Sequence, residues 1–258
     1  MVYRLQTGIK YAKRKISIIA VGLMAIAFPV VMAISNGTAS AVVSNSYSLF
    51  GDAAIVQPGY ASANAAQIES SATVTPGYGG VDFGIPNGVT TLNTLNNLST
   101  EYMFTQGSCG GGAPRFVATV TTPSGSQNVN FYIGPAPNYT SCPPNVRSNT
   151  GNLASPTNLV DATQLGGGFY EPYAAVQASY GSYPVTDVFV VTDAYWFAGT
   201  QTVQVDNTQI NTNTYTYEPA PTKNSCKKGG WMTLQDASGN SFKNQGDCVS
   251  YFANGGKN

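Results

Sequence analysis

Period-two alternation constrains this chain more than any other feature. In Asn128-Val-Asn-Phe-Tyr-Ile133, residues Val129, Phe131 and Ile133 share one face. Thr202-Val-Gln-Val-Asp206 turns Val203 and Val205 inward in the same way. Arg115 to Thr122 is β-branched and bounded by Pro114 and Pro123, and Val185 to Thr192 is apolar almost throughout, as in a strand covered on both faces. Tyr215 and Tyr217 continue on a return strand that Pro219 stops. Clusters of Gly, Pro, Asn and Ser punctuate these segments as turns. No sustained helical periodicity occurs before residue 222. The expected fold is all-β, a jelly-roll-like β-sandwich.

The N-terminal residues predict export. Arg4, Lys10, Lys13, Arg14 and Lys15 form a basic stretch, Ile16 to Ile34 is apolar, and Ala39-Ser40-Ala41 is a small-x-small cleavage pattern. Residues 1–41 therefore read as a signal peptide. The competing reading is an uncleaved membrane anchor, which Pro29 within the apolar run disfavours.

Without residues 1–41, 217 of the 258 residues remain, enough for a substantial core. Five of the 12 basic residues lie in the leader, leaving seven against 12 acidic ones, a formal net charge of −5. The charge is uneven. Residues 42–222 hold two arginines, Arg115 and Arg147, against ten carboxylates, a net of −8. Residues 223–258 hold five lysines against Asp236 and Asp247, a net of +3. A body this acidic cannot neutralise many phosphates, which argues against nucleic-acid binding.

Four cysteines in an exported chain read as two disulfides. Of three possible connectivities, Cys109–Cys142 and Cys226–Cys248 pair within each charge region. Each such bridge contributes about 3–4 kcal/mol through loop entropy. Zinc would need closely spaced ligand pairs or histidines, and the sequence has neither.

The absence of histidine removes the Ser-His-Asp triad, the Cys-His dyad and histidine metal sites together. Carboxylate chemistry of the glycosidase type is what remains for an enzyme, with Glu101, Asp161, Glu171, Asp187, Asp193 and Asp206 as candidates. No two of them sit two residues apart on a strand, so no pair is aimed into one cleft by sequence alone. No cofactor is expected. A structural calcium is the remaining possibility, at Asp193 and Asp206, and no DxDxDG loop supports it.

The glycine run of Cys109-Gly-Gly-Gly-Ala-Pro-Arg-Phe116 is followed by a proline and a strand, so it reads as a turn beside a disulfide and not as a phosphate cradle. Gly166-Gly-Gly-Phe-Tyr-Glu-Pro-Tyr173 has the same grammar with aromatics behind it. Tyr170, Tyr173, Tyr180 and Tyr183 then cluster with Tyr195, Trp196 and Phe197. Exposed rings of this kind stack on sugars, and Tyr170, Tyr173, Tyr195 and Trp196 are the candidate ligand-binding residues.

The stretch TVQVDNTQINTNTYTYEP resembles the closing hairpin of carbohydrate-binding and lectin-type jelly rolls. FYIGPAPNYTSCP, DAYWFAGTQTVQVDN and the tail CKKGGW…FKNQGDCVSYFANGGK resemble a group of exported bacterial proteins, over roughly Thr90 to the C terminus. That resemblance implies compartment and architecture and carries no activity.

The tail itself reads as a small stapled module. Ser241 or Asn244 can cap a helix from about Gln245 to Ala253, and Gly255-Gly256 ends it. Cys248, Val249 and Phe252 share its apolar face, with Trp231, Phe242 and Phe252 as a miniature core, and Pro219-Ala-Pro221 is a stiff lead-in. Its lysines would dock on the acidic body or face an anionic envelope polymer.

The organisation expected is therefore a signal peptide (1–41), a lead-in of partial order (42–80), a β-sandwich (81–222) and a disulfide-stapled module (223–258). The expected function is binding without catalysis at the cell surface or outside the cell, with a polysaccharide or cell-wall glycan as partner and membrane contact only through an uncleaved leader. A carboxylate-dependent glycoside hydrolase is the first alternative, and a structural surface protein the second.

Overall fold

A computed structural model describes residues 46–236 and 239–256. The signal peptide expected at residues 1–41 lies outside the described residues. Thirteen strands follow in chain order: β1 (Ser48–Gly51), β2 (Ala53–Val56), β3 (Ala65–Ser70), β4 (Gly79–Asp82), β5 (Leu98–Gln106), β6 (Arg115–Thr122), β7 (Gly125–Tyr132), β8 (Ser148–Asn149), β9 (Leu159–Val160), β10 (Glu171–Pro172), β11 (Val185–Thr192), β12 (Gln201–Ile210) and β13 (Asn213–Tyr215). Among the described residues three α-helices accompany them: α1 (Tyr173–Tyr180), α2 (Tyr195–Ala198) and α3 (Gln245–Ala253).

The long strands form two antiparallel sheets. One has five strands in the order β1-β4-β11-β6-β7; the other has six, β2-β3-β12-β5-β8 with β13 paired to β12. Their inner faces share one apolar layer. Val81, Phe116, Ala118, Val120, Val129, Phe131, Val188 and Val190 come from the first sheet, and Ile68, Tyr102, Phe104, Val203, Val205 and Ile210 from the second. Burying a Phe or Val of this layer contributes about 1.5–3 kcal/mol each. The molecule is thus the all-β sandwich expected, and the inward residues named for β7 and β12 are all buried.

Local chemistry keeps the alternation in phase. The pairing of β12 with β5 shifts register between Asp206 and Gln209, and Asn207 there has φ 45. This bulge adds a residue, so Thr208 and Ile210 face inward after Val203 and Val205. Asp206 is left on the opposite side, where its carboxylate accepts from the Tyr60 amide and the Ser62 hydroxyl, both at 2.6 Å.

The stretch expected as a lead-in differs. From residue 48 it supplies β1 to β4, strands in both sheets, and the boundary placed at residue 80 falls inside β4. Its small residues have a packing reason. A Cβ on Gly80 would collide with the Phe50 ring and the Val190 carbonyl, so β4 must be bare where it passes between β1 and β11. Alanine and glycine there report close approach rather than looseness.

Both disulfides are the local ones, Cys109–Cys142 and Cys226–Cys248. In the tail, the Asn244 side chain caps α3 by accepting from the Asp247 amide at 2.9 Å. A separate apolar cluster gathers Cys226, Leu234, Phe242, Cys248 and Tyr251, with Trp231, Val249 and Phe252 packed at its rim. Leu234 and Tyr251 thus take central places that the sequence reading gave to Trp231 and Phe252. Among the described residues no helix is long and apolar enough to cross a membrane.

Candidate functional site

The outer face of the five-stranded sheet carries the side chains that alternate with its core residues. On β6 these are Arg115, Val117 and Thr119; on β7 they are Asn128, Asn130 and Tyr132. Register sets Arg115 beside Tyr132, Val117 beside Asn130 and Thr119 beside Asn128. On β11, Val191 stands next to Arg115 and Asp187 next to Thr119.

Two loops raise walls around this face, one along the β7 edge and one at the strand ends where β6 begins and β11 stops. One follows β9: the backbones of Asn130 and Asp161 exchange hydrogen bonds at 3.0 Å, and Gln164 accepts from the Asn128 amide at 2.9 Å. The other is the glycine run before β6, packed on the loop after β11. A Cβ on Gly111, which has φ +64, would lie 2.9 Å from Cδ1 of Phe197 and 3.1 Å from Cβ of Ala194. Only glycine lets these two loops meet. The buried Gln201 holds the same run by donating to the Ser108 carbonyl at 2.8 Å and the Ala113 carbonyl at 3.2 Å.

Between these walls is a cleft of about 280 Å³, lined by Gly111, Gly112, Arg115, Asn128, Asn130, Tyr132, Asp161, Gln164, Asp193 and Trp196. Its polar groups are tied to one another. Arg115 holds Asp193 in a two-pronged ion pair, Nη1 to Oδ1 and Nη2 to Oδ2, each 2.7 Å. Its Nε donates to Asn130 at 3.2 Å, and Nη1 also to the Gly112 carbonyl at 3.1 Å. Asp161 accepts from the Tyr132 hydroxyl at 2.8 Å, the Thr163 amide at 2.9 Å and the Thr163 hydroxyl at 2.6 Å. Burial alone would raise the Asp161 carboxyl, but donation from Thr163, Tyr132 and Asn130 outweighs it and holds the group below its ordinary value. Over this floor stands Trp196, 74% exposed, with Phe197 beside it at 70%. Tyr132 extends the aromatic surface outward. Its ring lies 6.0 Å from Phe169, itself 59% exposed, and 5.8 Å from Tyr170.

The proposed aromatic platform therefore does not form as one surface. Trp196 lines the cleft, and Tyr170 borders it through Tyr132. Tyr195 is half-buried, its amide bonded to the Ser70 hydroxyl and its ring against Gly77. Tyr173 is not available to a ligand. It is fully buried, stacked edge-on against Phe131 at 5.1 Å, and its hydroxyl donates to the Leu92 carbonyl at 2.8 Å. It opens α1, and the turn of that helix carries it into the core. Tyr180 and Tyr183 stack on each other at 6.0 Å elsewhere.

The carboxylates weighed for calcium are also occupied. Both oxygens of Asp193 accept from Arg115, and those of Asp206 from Tyr60, Ser62 and Asn207. These donors already balance the two carboxylates, and a cation at Asp193 would also face the Arg115 guanidinium. Among the described residues no group of three or more acidic or cysteine side chains could hold a metal ion.

One acidic contact was invisible in the sequence. Asp187 on β11 meets Asp82 on β4, a residue the sequence reading did not single out. The Asp187 carboxyl is pushed up to about 6, first by burial, then by the charge of Asp82 and a hydrogen bond with it. Its Oδ1 is buried without a hydrogen-bond partner. Two carboxyl groups in contact share one proton more readily than they carry two charges. Asp82 also borders a shallow cleft of about 330 Å³ with Ser46, Tyr47, Ser48, Phe83 and Gly84.

No protein-family model matches the chain, and no curated protein matches it in sequence. Among solved structures, the family 11 carbohydrate-binding module of the cellulosomal cellulase Lic26A-Cel5E of Clostridium thermocellum is similar over 64% of this chain and 86% of that one, at 12% identity and a TM-score of 0.37. What the cleft can hold follows from its own side chains.

Proposed function

We propose that this chain is an exported binding protein that takes up a polysaccharide or cell-wall glycan in the cleft of the five-stranded sheet and performs no chemistry on it. The observation that carries this reading is Trp196, a large ring held in solvent beside a floor of amide and charged groups. Sugars offer C–H faces to such a ring and hydroxyls to such a floor. Non-catalytic use fits a chain with 0 histidines whose cleft carboxylates are both committed to protein donors.

The hydrolase reading keeps one observation in its favour, the raised Asp187 carboxyl beside Asp82. Glycoside hydrolysis by two carboxyls needs them about 5–5.5 Å or 6.5–9.5 Å apart, with the sugar between. Asp187 is not among the residues that line the cleft beside Asp82, so the two carboxyls do not face one ligand space.

A glycan-array screen of residues 42–258 tests the proposal. The chain has 2 tryptophans, so a Trp231→Phe variant leaves Trp196 as the only indole reporter. A glycan that binds should change its emission. Binding that leaves the emission untouched and survives Trp196→Ala would place the site elsewhere.

A further inference from the structure

We propose that the cleft selects uncharged glycans and excludes polyanionic ones, an inference that rests on the glycan-binding reading above. Arg115 is the single cation among the lining residues, against Asp161 and Asp193. A guanidinium has five N–H donors. Here Nε serves Asn130, Nη1 serves Gly112 and Asp193, and Nη2 serves Asp193, so four of the five are in use. A uronate or sulfate could take the usual two-pronged grip on Arg115 only by displacing Asp193. It would then lie beside two carboxylates, one of them held ionised by its hydrogen bonds. The surrounding field repeats the message, because residues 42–222 carry a formal charge of −8 from two arginines and ten carboxylates.

The donors left for a ligand are neutral. Asn128 accepts through Oδ1 from Thr119, and Gln164 accepts through Oε1 from the Asn128 amide. The side-chain NH2 groups of both stay open to hydroxyl oxygens among the described residues. Amide donors beside an exposed indole suit a hydroxyl-bearing ring without formal charge. A neutral ligand also carries no counterions to release, so its binding should be almost independent of salt.

Affinity electrophoresis of the full chain tests this with defined probes: glucan, mannan and xylan as neutral polysaccharides, polygalacturonate and dextran sulfate as polyanions. The expected result is retardation by a neutral polysaccharide at both low and physiological salt, with none by either polyanion. Asp193→Asn removes a negative charge and one of the two oxygens that accept from Arg115, so this variant should gain retardation by the polyanions, strongest at low salt. Polyanion retardation of the unmodified protein that salt weakens would overturn the inference while leaving a glycan site in place. Retardation by none of the probes, with a blank glycan array, would remove the glycan reading and this inference together. The unmodified protein decides between these outcomes whatever the folding of the variant.

Discussion

Towards its β7 edge, the outer face of the five-stranded sheet gathers Arg115, Asp161 and Asp193; nearer its other edge it holds Asp82 and Asp187. The first group is a closed network in which every carboxylate oxygen meets a donor. The second is two acids pressed together, with one buried oxygen unpartnered. Burial pushes the Asp161 and Asp187 carboxyls in the same direction, upward. The Thr163, Tyr132 and Asn130 donors reverse that push at Asp161, and the Asp82 carboxylate adds to it at Asp187. Neighbouring donors, more than depth, decide which carboxylate stays charged. The networked end forms the floor of the cleft, and the acid pair is where a second negative charge is disfavoured.

Asp161→Ala should break this contrast most. It leaves the buried Tyr132 hydroxyl without its acceptor, at about 1–3 kcal/mol, and removes the acceptor of the Thr163 amide, which costs less because Thr163 is exposed. Urea unfolding should show a loss of about 3 kcal/mol, within the range expected when a buried network is cut. A loss near zero would mean the loop after β9 does not depend on Asp161.

The two disulfide regions offer the next contrast. Cys109–Cys142 joins the sandwich core, whereas Cys226–Cys248 belongs to the small cluster of the tail. Replacing both tail cysteines by serine should remove about 3 kcal/mol of loop entropy. Limited proteolysis should then cut within residues 223–256 while the melting of the body stays nearly unchanged. A fall of many degrees in that melting would make the tail an integral part of the sandwich.

Smaller, and opposite in sign across pH, are the conservative variants of the two acids. The folded Asp187 carboxyl sits at about 6 against an ordinary 3.8, so the folded state holds that proton more tightly than the unfolded chain. Its stabilising contribution is full below 3.8 and is lost as pH rises through about 6. Asp187→Asn should therefore raise the melting temperature at pH near 8 and change it little at pH near 4. Asp161 behaves in reverse. Its folded value lies below 3.8, so its contribution is present above 3.8 and fades as pH falls through the folded value. Asp161→Asn should lower the melting temperature near neutral pH, with a deficit that shrinks in acid. Parallel pH profiles for the two variants would contradict the opposite shifts of the two acids.

Much of the frame was readable in the sequence, because the strands that build the core alternate cleanly. Arg115 to Thr122 and Val185 to Thr192 are strands end to end, and Gln245 to Ala253 is the helix expected. The site was only half readable. Trp196 and Asp193 stood out by type, but Arg115, Asn128, Asn130 and Tyr132 did not, although they occupy the positions alternating with Phe116, Val129 and Phe131. Taking those outward positions as a set would have found the floor of the cleft. Asp82 could not have been found that way. It meets Asp187 across the pairing of β4 with β11, and strand order is not written in any local pattern. Tyr173 misled because a ring's type does not tell which way a helix will turn it.

The most direct test of the proposed glycan site compares the two ends of the sheet in one titration. The affinity of the unmodified protein for its best neutral polysaccharide would be measured by calorimetry beside Trp196→Ala and Asp82→Asn. Removing the exposed indole should weaken binding by about tenfold or more, equivalent to about 1.4 kcal/mol. Asp82→Asn, away from the cleft, should leave the affinity unchanged within error. Loss of binding in Asp82→Asn with Trp196→Ala unaffected would contradict the account and move the site to the acid pair.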